Sequence, residues 1–469
     1  MPAPGHRCLG AKASRTRASS ACVAAAGSGY FPAVKNDFAI RSLGPCEVDS
    51  PLAKFHDHEG KTIDFVEDHE CILVDDTLSA VRGGAAAAPD FPVLELAGPR
   101  RRIFFSPTDV RVGIVTCGGL CPGLNNVIRG LVMVAEFHYR VQKVYGFRYG
   151  YAGLVAPDGH VELDSEGVSE IHKLGGTVLG SSRGPQKPKA MVDRLVELGI
   201  RILFVIGGDG SMRGAVAIAD EVRQRGLGIA VVGIPKTIDN DLLFMDQSFG
   251  FQTAAGEAVR AIDCAHREAK GAPNGVGLVK VMGRHSGFIA CAAALASGDA
   301  NFVLIPEIPF RLDGPNGLFP VLQRRLERRQ HAVIVVAEGA GQELLATAGE
   351  ERDASGNVKL KDIGVFLADA IKSHFAAKQF EVNLKYIDPS YMIRSVPANS
   401  ADAVFCATLA LNAVHAAMCG KTEMVLGMWH RRLVHVPIHQ AIARRNKVDL
   451  TGPLWLSVLG ATGQPLAMQ

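Results

Sequence analysis

From residue 110 onward, short apolar β-branched runs alternate with longer stretches of helical character, and this alternation organises the chain. The runs Val110–Thr116, Ile202–Ile206, Gly228–Ile234, Val276–Val281, Phe302–Ile305 and Ala332–Ala337 are apolar at most positions. Continuous hydrophobicity of this kind predicts strands covered on both faces, as in a parallel sheet. Helical segments separate them, among them Lys189–Leu198, Met212–Arg225 and Gln252–Glu268. Strand–helix alternation predicts an α/β architecture with right-handed crossovers. The strand count is generous for one sheet, so two α/β domains facing a cleft are expected. The most apolar late stretch, Ala401–Met418, is interrupted by Asp402, Asn412 and His415 and reads as a packed helix. No run approaches the roughly 18 apolar residues that span a bilayer, and no membrane partner is expected.

The chain before residue 98 has a different texture. Its first 36 residues carry Arg7, Lys12, Arg15, Arg17 and Lys35, no acidic residue, and much Ala and Ser. That composition is the mark of an organelle transit peptide, and the missing apolar core argues against a secretory signal. Residues 37–97 turn acidic around Asp57–Asp76 and pass through a Gly/Ala stretch at 83–88 before Pro89 and Pro92. They read as an extension without a core of its own.

Composition narrows the function by exclusion. Fifty basic against 47 acidic residues leave a formal charge of only +3, which supplies no nucleic-acid-binding face. The short clusters Arg100–Arg102 and Arg444–Arg445 read as solvated surface. Ten scattered cysteines with no Cys-x-x-Cys pair indicate a reducing compartment rather than a disulfide scaffold. Cys117 and Cys121 lack zinc-site partners and read as buried structural thiols.

The chemistry gathers in glycine-rich turns after strands. Gly118–Asn125 and Gly207–Ser211 are two of them; such turns let backbone N–H groups and a helix N-terminus approach an anion. Asp209, set between glycines, would repel a bare phosphate, so a bridging Mg2+ is expected there, with helix capping as a compatible second role. The third turn, Gly233–Asp241, carries Lys236, Thr237, Asp239 and Asp241. Phosphoryl transfer asks for a positioned hydroxyl, a proton acceptor and cations over the transferring group. One carboxylate can be the base while the other faces the metal.

In these motifs the chain resembles the phosphofructokinases, specifically the plant-type ATP-dependent 6-phosphofructokinases, from about Gly98 to Pro465. The resemblance rests on GGLCPGLN (118–125), GGTVLGSSRG (175–184), GGDGS (207–211), PKTIDND (235–241), KVMGRHSGF (280–288), AEGAGQ (337–342) and KYIDPSYMIRS (385–395). It implies two doubly wound three-layer α/β domains facing a cleft, behind an N-terminal extension. Residues 98–250 plus about 395–465 would bind nucleotide, and 251–394 the sugar phosphate. It implies Asp239 as general base, with Thr237 and Arg183 beside the reacting groups. Gly119, Tyr151, Arg183, Gly208, Asp209, Gly210 and Ser211 would line the ATP site, and Asp209 and Asp241 would hold Mg2+. Lys236, Thr237, Asp239, Met282, Gly283, Arg284 and Glu338 would contact fructose 6-phosphate, and Lys385, Tyr391 and Arg394 its 6-phosphate. Tyr151 and Met282 have an alternative as packing residues, and Arg183 and Arg284 as surface ion pairs.

The resemblance further implies a homodimer or homotetramer under allosteric control and, because plant forms include plastid members, a plastid over a cytoplasmic address. The chain departs from bacterial phosphofructokinases at Lys236, Lys385, Tyr391 and Gly275, the last standing where those enzymes carry a subunit-bridging Arg. Gly210 replaces the Asp of pyrophosphate-using relatives and points to ATP. A pyrophosphate-dependent enzyme, an NAD or lipid kinase sharing the GGDG turn, and a non-catalytic regulatory subunit are the rival readings.

Overall fold

Each of the apolar runs forms a strand, its ends shifted by no more than two residues: Arg111–Thr116, Ile202–Gly207, Ala230–Pro235, Gly275–Val281, Phe302–Leu304 and His331–Ala337. In the computed structural model, which describes residues 38–56, 58–61, 63–80, 91–345 and 358–468, these strands divide between two sheets. The expected transit segment and the Gly/Ala connection at 83–88 lie outside the described residues.

The larger sheet has nine strands, in the order Cys71–Leu73, Val93–Leu96, Arg432–Pro437, Met424–Trp429, Ala230–Pro235, Ile202–Gly207, Arg111–Thr116, Lys143–Phe147 and His160–Leu163. Its five central strands, Met424–Trp429 through Lys143–Phe147, pair in parallel; the outer strands join antiparallel. The smaller sheet is all parallel, in the order Phe302–Leu304, His331–Ala337, Gly275–Val281, Asn383–Ile387.

Alternate residues of each central strand feed opposite faces, as the two-residue period demands. Ile202, Phe204 and Ile206 enter one apolar cluster with helices Leu124–Phe137 and Ser400–Met418, while Leu203 and Val205 enter another with helices Pro188–Glu197 and Asp209–Gln224. The first cluster continues through helix Phe251–Lys270 to Val279 and Val281 of the smaller sheet. Helices Leu318–Arg329 and Ile363–Ala377 close that sheet's other face. Both sheets are thus wound on both sides, in three layers, as expected.

Helix Ser400–Met418 is long and apolar enough, by length and composition, to cross a membrane, which the sequence reading of this stretch did not anticipate. About two-thirds of it is buried within the fold. Its Asp402 is fully buried and accepts bonds from the backbone N and Oγ1 of Thr253 at 2.7 and 2.6 Å. That is the environment of a core helix.

The extension is stitched into the large sheet: Val93–Leu96 pairs with Arg432–Pro437, and Cys71–Leu73 adds beyond it. This placement corrects the reading of Arg100 as solvated surface. Arg100 is 4% exposed, and its guanidinium donates to Asp68, Glu95 and the carbonyls of Gly98 and Leu96. A guanidinium can be buried when its donors are taken, and a run of like charges along the chain carries no record of acids folded against it.

Candidate active site

Parallel pairing brings the three glycine turns side by side. Thr116 stands opposite Ile206, and Pro235 opposite Gly207, so the strands end almost level and their loops leave one edge together. At Gly207 the loop is drawn so tight that a Cβ would fall 2.2 Å from Ser211 Cβ; only glycine fits. Gly208 then caps helix Asp209–Gln224, whose first turn holds Asp209, where the helix dipole favours a carboxylate. At Gly210 a Cβ would meet nothing within 4 Å, so the space immediately beside it is open.

The Gly233–Asp241 turn bends sharply at Asn240, whose φ of 56° lies in the left-handed region. Asn tolerates this because its side chain stands in for backbone partners: Oδ1 accepts from Ser248 N at 2.7 Å, and Nδ2 donates to the Asp246 carbonyl at 3.3 Å. The turn separates the environments of its two flanking carboxylates. Asp241 accepts from Thr237 Oγ1 at 2.6 Å and from Arg445 Nη1 at 2.7 Å. Asp239 accepts from the backbone N of Arg284 at 3.3 Å through Oδ2, while its Oδ1 is buried with no hydrogen-bond partner.

Burial, then the like charges of Asp241 and Glu338, push the Asp239 carboxyl up to about 7. Burial also raises Glu338, against the pull of Arg284 and Lys280. A carboxylate lifted to neutrality with one oxygen uncommitted is equipped to take a proton.

The second sheet supplies the opposite wall. Gly283, at φ +129°, follows Gly275–Val281, and Arg284 leads back toward Asp239 and also donates to the Val358 carbonyl. Ser286 Oγ donates to the Asp239 carbonyl at 3.0 Å, and Glu338 N donates to the Val281 carbonyl at 2.9 Å. The C-terminal edges of the two sheets therefore meet at Asp239, the usual ligand position in α/β folds.

Cations crowd the Gly118–Gly119 turn. Buried Lys236 donates to the Gly119 carbonyl at 2.7 Å, and burial lowers its pKa. A Cβ on Gly119 would meet Arg183 Nη2 at 3.7 Å and Arg394 Nη1 at 3.9 Å, so these two guanidinium groups converge on one glycine. Tyr391 is 74% exposed, with the Arg394 guanidinium over its ring at 4.6 Å. Lys385 lies exposed within strand Asn383–Ile387, opposite Gly277 and short of the strand end where the other groups gather.

Tyr151 is 6% exposed, and its hydroxyl donates to the Ser211 carbonyl at 2.7 Å, so it braces the Gly207–Ser211 turn from within the core, in keeping with its alternative as a packing residue. Arg445, read as solvated surface, bridges Asp209 and Asp241, donating at 2.8 and 2.7 Å. Arg213 adds a second contact to Asp209 at 3.0 Å. No signal in the sequence separates Arg445 from Arg444; only folding brings it to the carboxylates. Met282 is half-buried and packs against the core cluster. Cys117 and Cys121 are buried, and burial pushes the Cys117 thiol up to about 12, in keeping with structural thiols.

Asp209 and Asp241 have the chemistry to hold a divalent cation. One guanidinium already reaches both carboxylates, and Asp209 Oδ1 is buried without a partner. Among the described residues no cluster of three or more metal-ligating side chains exists.

The family pattern described as Phosphofructokinase matches residues 111–417. The ATP-dependent 6-phosphofructokinase of Amycolatopsis methanolica is 51% identical over 92% of this chain and 95% of its own length. ATP-dependent 6-phosphofructokinase 4, chloroplastic, of Arabidopsis thaliana is 47% identical over 79% of this chain and 70% of its own. Among solved structures, a pyrophosphate-dependent phosphofructokinase from Marinobacter aquaeolei superposes with a TM-score of 0.62 at 21% identity, covering 77% of this chain and 92% of that one. That likeness shows the fold.

Proposed function

The chain belongs to the phosphofructokinase family, and from that premise we propose that it is an ATP-dependent 6-phosphofructokinase. It transfers the γ-phosphoryl group of ATP to the 1-hydroxyl of fructose 6-phosphate, giving fructose 1,6-bisphosphate and ADP. The observation that carries the chemistry is Asp239, placed between the two sheets with one oxygen uncommitted.

In this reading the Arg284 N–H orients the Asp239 carboxylate, and Oδ1 accepts the proton of the 1-hydroxyl as that oxygen attacks phosphorus. Arg183, beside Gly119, lies where it can balance charge on the transferring group. Lys236 contacts phosphate from the same turn. Arg284, Glu338, Gly283 and Met282 meet the sugar; Arg394 and Tyr391 take its 6-phosphate, with Lys385 approaching from the strand. Asp209 and Asp241 would hold Mg2+, which would supply positive charge to the nucleotide phosphates.

The open space at Gly210 supports ATP as donor, since an Asp there would set bulk and negative charge against the α-phosphate. Lys236 is shared with pyrophosphate users and does not decide the donor. A coupled assay with fructose 6-phosphate should show turnover with ATP and little with pyrophosphate; the reverse result would overturn the reading. Asp239→Asn should lower kcat by about a hundredfold to ten-thousandfold with sugar-phosphate binding retained.

The same reading makes residues 1–36 a plastid transit peptide, supported by relatives named chloroplastic. A fluorescent protein carrying those residues but remaining in the cytosol would remove that part. A homodimer or homotetramer completes the proposal, with light scattering as its test.

A further inference from the structure

Arg445 occupies the space that the proposed function gives to a divalent cation. Its Nη1 is 2.7 Å from Asp241 Oδ2, and its Nη2 is 2.8 Å from Asp209 Oδ2, so one guanidinium spans carboxylates carried by a helix N-terminus and a separate loop. Its side chain is 31% exposed, against 8% and 4% for its two partners. It therefore closes the pair from the solvent side.

The backbone around it is fastened to the loops that follow Ala230–Pro235 of the larger sheet and Phe302–Leu304 of the smaller one. Asn446 N donates to the Asp241 carbonyl at 2.9 Å, and Val448 N donates to Glu307 Oε1 at 2.8 Å. That same Glu307 oxygen accepts from Gly287 N, at the start of helix Phe288–Ser297 beside the smaller sheet. A second observation shows that the arrangement is incomplete: Asp209 Oδ1 is buried with no hydrogen-bond partner, an acceptor that Arg445 leaves unserved.

We infer that Arg445 is a resident counter-cation, a positioning residue that holds Asp209 and Asp241 in register while the metal is absent and cedes their shared space to a divalent cation that arrives with nucleotide phosphates. The inference rests on the reading of Asp209 and Asp241 as metal-side carboxylates. Two carboxylates this close repel one another, and a guanidinium fork relieves that repulsion through one hydrogen bond to each. A free divalent cation entering the pair meets the positive charge of Arg445 at a few ångströms. A cation bound to a polyphosphate brings compensating negative charge and offers the guanidinium new acceptors. The site is thereby biased against metal alone and toward the metal–nucleotide complex.

The test measures Mn2+ binding by electron paramagnetic resonance on the full chain, without nucleotide and with ATP. Wild type should bind free Mn2+ weakly and Mn–ATP well. Arg445→Gln should bind free Mn2+ at least about tenfold more tightly than wild type, because the competing charge is gone. Its melting temperature should fall in EDTA and recover on adding Mn2+. Free Mn2+ binding no tighter in Arg445→Gln than in wild type overturns the inference.

Should that variant fail to fold, Arg445→Lys carries the same test. One ammonium lacks the two-pronged reach, so free Mn2+ should still bind more tightly than to wild type, and unchanged binding again overturns the inference. Asp209→Asn separates the two levels of the argument. If it leaves Mn–ATP binding intact, the metal assignment falls and this inference with it. If it weakens Mn–ATP while Arg445→Gln leaves free Mn2+ unchanged, the inference alone falls.

Discussion

Asp239 and Asp241 stand two positions apart, and the left-handed turn at Asn240 gives them opposite electrostatic circumstances. Asp241 meets a hydroxyl and a guanidinium; Asp239 meets burial and other carboxylates. As a base, Asp239 works only when ionised, so turnover should climb with pH through about 7. Glu338→Gln removes a negative charge that helps hold the Asp239 carboxyl up, so the acidic limb of the kcat profile should move to lower pH even as KM for the sugar rises. A limb that stays in place would show that another group titrates. The loop itself was legible, because adjacent carboxylates, Lys and Thr after a buried strand have few structural explanations. Arg445 and Arg100 were not, since their partners Asp209, Asp241, Asp68 and Glu95 are set by folding and leave no trace in the charge run.

Strands buried on both faces announced themselves by continuous hydrophobicity; those at the sheet's flanks did not. His160–Leu163 and Asn383–Ile387 mix polar with apolar residues because each lies at the edge of its sheet and has no fully buried position. The hairpin Met424–Trp429/Arg432–Pro437 was hidden for a different reason. Its two-residue turn uses His430 and Arg431, at φ 49° and 61°, where Asn-Gly would have signalled the bend. Helix Ile363–Ala377 shows how much one cap can hold. Asp362 accepts from the N–H groups of Gly364 and Val365 and pairs with Lys280, which reaches across from strand Gly275–Val281. Asp362→Ala should cost about 1 kcal/mol through the cap alone, read from urea unfolding. A loss within error would mean that Lys280 and Asp388 compensate.

Residues 37–97 read as an extension, yet two of their strands finish the large sheet. Glu95 fastens them: Lys421, Arg100 and His435 surround its carboxylate. Burial raises the carboxyl, but the bonds from His435 and Lys421 outweigh it and hold the pKa at about 2. Its contribution is therefore complete above the ordinary carboxylate range and is lost only as pH falls toward 2. Glu95→Ala would strand buried positive charge and should destabilise the protein by about 3–5 kcal/mol, with early proteolytic release of the extension as a direct sign. Retention of wild-type stability would mean that the strands hold without it. The strand order also imposes a timetable on synthesis. All four strands of the smaller sheet lie between Gly275 and Ile387 and can assemble once that stretch leaves the ribosome. The larger sheet must wait for Met424–Pro437, because that hairpin sits between the extension and Ala230–Pro235. Until Met424–Pro437 has been made, the nascent chain carries an unpaired apolar strand edge, so the interval before that hairpin emerges is the point at which chaperone protection matters most.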